Sequence, residues 1–273
     1  MSTIRAALSN ATLRLGSVSQ SPRLDAELLM AHAIGVDRNS LLLGDLDALP
    51  SPDFDTFLAR RLAHEPLAYI TGTRDFWTIS LRVTPGVLIP RADSETLIEA
   101  AITHFARKAP TRILDLGTGS GALLLAALDQ WPQATGLGID ASAAALAVAQ
   151  DNASQLGLAA RCTFEMRNWA DGLEQSYDLI LCNPPYVEAS ASLDPQVFDY
   201  EPHSALFAGV DGLDDYVRIA PQLPPLLAAG GVAVIEIGYR QAESVGAIFA
   251  AQGFLVAVAQ DLGKRDRCLI LTR

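Results

Sequence analysis

The chain has 273 residues, of which 50% are hydrophobic and 19% charged; that apolar content excludes a wholly disordered polymer, and the length allows one large domain or two unequal ones. With 31 acidic against 20 basic side chains the net charge is −11, which repels a phosphate backbone at long range and counts against nonspecific duplex binding. No apolar run reaches the roughly 18 residues of a membrane span, and Met1 to Gln20 has neither an apolar signal core nor a small-residue cleavage site. The expected compartment is therefore the cytoplasm, without membrane attachment. Cys162, Cys182 and Cys268 lack CxxC spacing and lie in strand-like segments, so they read as small apolar fillers, and no metal site is expected.

From the N-terminus, Ser21-Pro22 is a helix start, with the hydroxyl available as a cap and proline tolerated in the first turn. Leu24, Leu28, Ala31 and Ile34 follow at helical spacing and Gly35 is the stop. Ser51-Pro52-Asp53 repeats the signal, with Phe54, Phe57, Leu58 and Leu62 on one face and Pro66 ending the run. Residues 1–70 are read as a helical domain, in the role of substrate recognition or of packing; His32 and His64 are isolated and read as surface or helix-end residues. Residues 71–90, rich in β-branched and aromatic residues and broken by Gly72, Pro85 and Gly86, suit a β-hairpin linker. Residues 91–273 form the second domain.

There, strand and helix runs alternate: 113–116, then 122–128, then 136–140, then 143–153, with further strands at 161–166, 177–182, 231–238, 254–259 and 266–272. Such alternation means an α/β fold with a parallel sheet covered on both faces. The last two strands are about six residues apart, too few for a parallel crossover, so they form an antiparallel hairpin. A seven-stranded, mostly parallel sheet with an antiparallel C-terminal hairpin resembles the Rossmann-like class I methyltransferases that use S-adenosyl-L-methionine.

Asp115-Leu116-Gly117-Thr118-Gly119-Ser120-Gly121 joins the first of these strands to its helix, and its glycines permit close backbone approach and positive φ. The GxGxG spacing departs from the GxGxxG of dinucleotide sites; by itself the loop suits either a nucleotide-like cofactor or a tight structural turn. Asp140 closes the second strand, where a carboxylate can accept from both hydroxyls of a ribose or cap the next helix. S-adenosylmethionine has no phosphate, and its sulfonium and amino group suit the nearby carboxylate of Asp115. Trp169, after Asn168, either covers an adenine face or is a core tryptophan.

The fourth strand empties into Asn183-Pro184-Pro185-Tyr186, at the sheet edge where open α/β folds bind ligands. Two prolines make the turn stiff. A planar amide or amino nitrogen is a poor nucleophile because its lone pair is delocalised. If the Asn183 side-chain oxygen and the Pro184 carbonyl each accept one of its hydrogens, that nitrogen is held with its π-face toward an incoming methyl, and Tyr186 can lie against the flat group. The same acceptors stabilise positive charge developing on nitrogen.

The whole chain resembles the PrmC/HemK family of release factor glutamine methyltransferases. The likeness is carried by Tyr69-Ile70-Thr71-Gly72 with Phe76, Leu88-Ile89-Pro90-Arg91, the 115–121 loop, Asn183 to Tyr186, Tyr200-Glu201-Pro202 with Ala205-Leu206, Asp211-Gly212-Leu213 and Asp266-Arg267. The resemblance implies methylation of the glutamine in the Gly-Gly-Gln loop of class-1 peptide chain release factors, giving N5-methylglutamine and S-adenosyl-L-homocysteine. It implies cofactor contacts from Asp115, Gly117, Thr118, Gly119, Ser120, Gly121, Asp140, Trp169 and Asn183, glutamine contacts from Asn183 to Tyr186, a helical cap that touches the release factor, and a monomer without a direct nucleic-acid partner. Where the family often has Pro-Glu-Thr-Glu, this chain has Ala92-Asp93-Ser94-Glu95, a departure read as peripheral. Methylation of a nucleobase amine is the alternative, since such enzymes share the tetrapeptide; the acidic Glu188, Asp194, Asp199 and Glu201 around it, in place of a basic track, argue against that.

Overall fold

The computed structural model describes residues 3–273, which divide into two compact units. The first holds residues up to Thr73 and, in addition, Leu193–Tyr200; the second holds Arg74–Ser192 and Glu201–Arg273.

The first unit is built from α1 (Ile4–Leu15), α2 (Pro22–Ile34), α3 (Arg38–Leu43), α4 (Asp53–Leu62) and α5 (Leu67–Thr71). On α1, Ile4, Leu8, Ala11 and Leu15 are buried, the spacing of one helical stripe, and they pack with Leu29, Met30, Phe54 and Leu58. Thr3 caps α1 by accepting from Ala6 N–H, and Gly35 ends α2 at φ 73°, a conformation glycine adopts without strain. Ser21 does not cap α2: its backbone, at φ −131° and ψ 59°, aims the hydroxyl at Asp25 Oδ1 instead, 3.3 Å away.

The second unit opens with a hairpin, β1 (Thr73–Phe76) and β2 (Ile79–Arg82), and α6 (Glu95–His104). Phe76, Ile79 and Leu81 pack with Leu97, Leu124 and Leu179, so the hairpin is a working part of this unit's core. Then come β3 (Arg112–Leu116), α7 (Ala122–Gln130), β4 (Thr135–Asp140), α8 (Ala143–Gln155), β5 (Cys162–Met166) and β6 (Tyr177–Cys182). The short α9 (Pro195–Phe198) lies in the segment of the first unit, and α10 (Asp214–Ile219), β7 (Leu227–Glu236), α11 (Ala242–Ala250), β8 (Leu255–Gln260) and β9 (Asp266–Thr272) complete the chain.

The sheet order is β5-β4-β3-β6-β7-β9-β8, parallel from β5 to β7 and antiparallel where β9 meets β7 and β8. This is the fold expected from the sequence. β7 begins earlier than expected because Leu227 pairs with Tyr177 across a register shift. Side chains alternate between two cores: Leu179 and Leu181 of β6 join one, Ile180 and Cys182 the other. Burial on both faces calls for continuous apolar strands, so buried Asp115 in β3 and Glu236 at the end of β7 are the residues that need explaining. Among the described residues, no helix is long and apolar enough to cross a membrane.

Candidate active site

β3 lies between β4 and β6, so the chain runs outward to both sides from this pair and leaves a crevice at the carboxyl ends of the strands. Leu116 pairs with Cys182, the last residue of each strand, so the loops beginning at Gly117 and Asn183 start side by side. A cavity of about 570 Å³ opens there, within the range of small-molecule sites, roughly 300–1,000 Å³.

The glycine loop needs its glycines: φ is 72° at Gly117, 56° at Gly119 and 84° at Gly121, where a side chain would be strained. A Cβ on Gly117 would also meet the Trp169 ring at 3.3 Å. Trp169 itself has φ 52°, a backbone conformation uncommon outside glycine and concentrated at functional sites. Asp140 holds the loop from the next strand, its Oδ2 accepting from Gly119 N–H and its Oδ1 from Ser142 N–H, both at 2.9 Å. Ser142, and not Asp140, caps α8. Asn152 on α8 donates to the Ser120 carbonyl at 2.8 Å and to the Arg82 carbonyl at 3.0 Å, bracing the loop against β2.

Of the residues singled out by sequence, Gly117, Gly119, Asp140, Trp169, Asn183 and Pro185 line the cavity. Asp115, Thr118, Ser120, Gly121, Pro184 and Tyr186 lie close to lining residues in the chain but are not part of the cavity wall. Asp115 is buried; Oδ2 accepts from the Thr118 hydroxyl at 2.7 Å while Oδ1 has no hydrogen-bond partner. Burial pushes its carboxyl up to about 7, against the Thr118 hydrogen bond, with the charge of Asp140 adding to the rise.

At the tetrapeptide, Asn183 Nδ2 donates to Ser94 Oγ at 3.3 Å. Tyr186 is not part of the cavity wall, and its hydroxyl donates to Glu236 Oε1, also at 3.3 Å. Glu236 is buried, with Oε2 lacking a hydrogen-bond partner. Burial raises its carboxyl to about 7, opposed by the Ser94 hydroxyl, the charge of Arg267 and the Tyr186 hydroxyl. Burial and the facing Glu236 likewise push the Tyr186 hydroxyl far up, so Tyr186 is neutral.

The motifs that flank the tetrapeptide are bonded to one another. Glu201 is buried and accepts from Ile89 N–H at 3.1 Å and from the Arg91 guanidinium, joining Leu-Ile-Pro-Arg to Tyr-Glu-Pro. It is thus an internal acid paired with a guanidinium and no part of an acidic surface. Arg267 pairs with Asp93 at 3.1 Å and Asp261 at 3.0 Å. Gln241 donates to the carbonyls of Tyr186 and Gly212, at 3.2 and 3.3 Å, and accepts from Gly238 N–H at 2.9 Å. A Cβ on Gly212 would lie 2.3 Å from the Tyr186 oxygen, so this loop can seat against the tetrapeptide only with glycine.

Sequence reasoning passed over Ser94, Glu236 and Gln241. The hydroxyl of Ser94, read as peripheral, is buried and in contact with Asn183. Leu88 and Ala205, which also line the cavity, lie in motifs that the resemblance had marked. Among the described residues no group of three or more His, Cys, Asp or Glu side chains is arranged to hold a metal ion.

Comparison with known proteins bears on the whole of this architecture. Residues 6–72 match the PrmC N-terminal domain and residues 107–243 a methyltransferase domain. A release factor glutamine methyltransferase of Rhodospirillum rubrum is 41% identical over 93% of this chain and 80% of its own length. The protein of that name from Coxiella burnetii is 36% identical over 100% of both chains. Among solved structures, the hMettl16 catalytic domain in complex with the MAT2A 3′UTR hairpin 6 aligns with TM-score 0.59 at 16% identity over 89% of this chain and 91% of that one. The ribosomal protein L11 methylase of Lactobacillus delbrueckii aligns with TM-score 0.53 at 22% identity over 71% and 84%; these two share the fold. Because the sequence likeness runs through the helical unit, the glycine loop and the tetrapeptide alike, the chain belongs to the release factor glutamine methyltransferase family.

Proposed function

We propose that this chain methylates the side-chain amide nitrogen of the Gly-Gly-Gln glutamine in class-1 peptide chain release factors, giving N5-methylglutamine. The observation that carries the reading is that Asn183 and Pro185, of the 183–186 turn, line the same cavity as Gly117, Asp140 and Trp169. A methyl-donor site and an amide-binding corner therefore share one space.

S-adenosyl-L-methionine fits the residues present. Gly117 and Gly119 offer backbone without side-chain obstruction, Asp140 supplies a carboxylate at the end of β4 for ribose hydroxyls, and Trp169 an apolar face for adenine. Asp115, Thr118, Ser120 and Gly121 act by shaping the loop. When bound, the cofactor supplies an electrophilic methyl on a sulfonium and leaves as S-adenosyl-L-homocysteine.

Asn183 Oδ1 and the Pro184 carbonyl each accept one hydrogen of the glutamine amide, which fixes its plane and turns its π-face outward. The same two oxygens stabilise the positive charge that develops on nitrogen, and the product cation loses its proton without a dedicated strong base. Pro184 and Pro185 keep the corner from relaxing toward helix, and Gln241 anchors its far end. Tyr186 contributes packing and a buried hydroxyl anchor, because its ring does not line the cavity.

The helical unit recognises the release factor away from the reacting amide. The compartment is the cytoplasm, where release factors meet ribosomes, and one chain carries every group invoked, so a monomer suffices. Incubation with labelled S-adenosylmethionine and a purified release factor, wild type and with its loop glutamine replaced, followed by mass spectrometry, tests the reading. Label on that glutamine alone supports it. Label on bulk RNA or DNA and none on the release factor would transfer the assignment to a nucleobase amine.

A further inference from the structure

The chemistry above gives no task to the Ser94 hydroxyl or the Glu236 carboxylate, yet both are buried beside the reacting corner, 4% and 1% exposed. They also form a connected set. Asn183 Nδ2 donates to Ser94 Oγ, the Ser94 hydroxyl is one of the groups that draw the Glu236 carboxyl down, and Tyr186 donates to Glu236 Oε1. Cys182 pairs with Ile235 in the parallel sheet, so Asn183 and Glu236 leave their strands at the same level.

We propose that Ser94 and Glu236 are positioning residues that lock the Asn183 carboxamide in the one orientation that turns its oxygen toward the substrate. The proposal rests on the glutamine-methylation reading. A side-chain amide has nearly the same shape when reversed, and only its hydrogen-bond partners distinguish oxygen from nitrogen. Ser94 has a single proton. An ionised carboxylate accepts and never donates, so it draws that proton toward itself and leaves lone pairs facing Asn183. Only the amide NH₂ can meet them. The reversed amide would set oxygen against oxygen with no hydrogen between, at a serine hydroxyl that is itself buried. Tyr186, donating to the same carboxylate, extends the constraint to the end of the tetrapeptide.

The groups facing Glu236 are Arg267, which favours its ionised form, Asp93, which opposes it, and the neutral Tyr186, Tyr216, Cys182 and Cys268. Because burial brings the Glu236 carboxyl up to about 7, mild acid turns it into a donor. Ser94 can then direct its proton at Asn183, and the amide is free to reverse. Methyl transfer should therefore fall as pH drops through about 7, and the fall should depend on Glu236.

The test uses the full-length chain, a purified release factor and labelled S-adenosylmethionine, with kcat followed across neutral pH and cofactor affinity measured by calorimetry. Ser94→Ala is expected to lower kcat about 10- to 100-fold, the scale of a misplaced catalytic group, while cofactor affinity stays within about threefold. Ser94→Thr, which keeps a hydroxyl, should restore most of the rate. Glu236→Gln, whose amide can donate to Ser94, should lower kcat and abolish the acidic limb. Wild-type kcat in Ser94→Ala, no rescue in Ser94→Thr, or an unchanged acidic limb in Glu236→Gln would overturn the proposal. Should Glu236→Gln not fold, the Ala and Thr variants decide alone. A wild-type chain that methylates no release factor brings down the substrate reading and this proposal together, whereas an active wild type with an indifferent Ser94→Ala brings down only the latter.

Discussion

The helical unit and the carboxyl edge of the sheet both bury charged side chains, and they treat them in opposite ways. In the helical unit Asp25 meets Arg61 at 2.9 Å, and Arg61 also donates to the carbonyls of Glu65 and Val18. Glu27 is pinned by Arg23 and Arg38; burial pushes its carboxyl up, but the two hydrogen-bonded guanidinium groups outweigh that and leave it lowered. At the sheet edge, Asp115 and Glu236 each keep one oxygen without a hydrogen bond and are raised to about 7. The paired charges of the helical unit serve its architecture, whereas half-satisfied internal carboxylates with raised pKa are a feature of candidate functional sites.

Breaking the paired side should cost the most stability. Arg61→Ala strands Asp25 in the interior and is expected to destabilise by about 3–5 kcal/mol in urea unfolding; a loss below about 1 kcal/mol would erase the contrast. Asn183→Ala should lower the methylation rate about 10²–10³-fold, the scale of losing an oriented acceptor in the transition state, while calorimetry finds cofactor affinity little changed. Asp115→Asn addresses the half-satisfied side. Its carboxyl titrates at 3.8 in ordinary surroundings and at about 7 here, so between those values the folded chain holds more protons than the unfolded one. Its contribution to stability is thus greatest in acid and declines as pH rises from about 4 to about 7. Asp115→Asn should flatten that part of the curve and gain on the order of 2 kcal/mol at pH 8 over wild type; equal denaturation midpoints for both chains at pH 8 would refute it. Asp140→Ala removes the acceptor for Gly119 and Ser142 N–H and should weaken cofactor binding by roughly tenfold, about 1–1.5 kcal/mol, in the same calorimetric measurement. The smallest effect concerns encounter: at a net charge of −11, association with a basic glutamine loop should slow as salt rises, and a salt-independent on-rate in stopped flow would dismiss that attraction.

Strands with dense apolar runs were legible: Tyr177–Cys182 and Asp266–Thr272 stand where the sequence pattern predicts them, and the short gap before the latter dictates an antiparallel hairpin. The glycine loop and the proline corner were legible because their backbone demands restrict residue choice. Glu236 was hidden in an apolar strand, since nothing local distinguishes a buried carboxylate with a distant partner from one at a strand end in water. Ser94 was hidden because its neighbour Asn183 is 89 positions away. α1 escaped notice although its Leu8, Ala11 and Leu15 carry the helical spacing, because polar residues between them dilute the pattern. In each of these cases the missing information was tertiary.

The segment Leu193–Tyr200 has a consequence for how such proteins can be recombined. It follows the tetrapeptide closely in the chain but belongs to the first unit, where Gln196 accepts from Arg61 at 3.4 Å and Tyr200 donates to the Ala63 carbonyl at 2.7 Å. A gene fragment ending at Thr73 therefore encodes an unfinished module, and grafting the leading helices of one relative onto the catalytic half of another would also have to transplant these eight residues. The two units are interleaved in the reading frame, so they are inherited as one cassette.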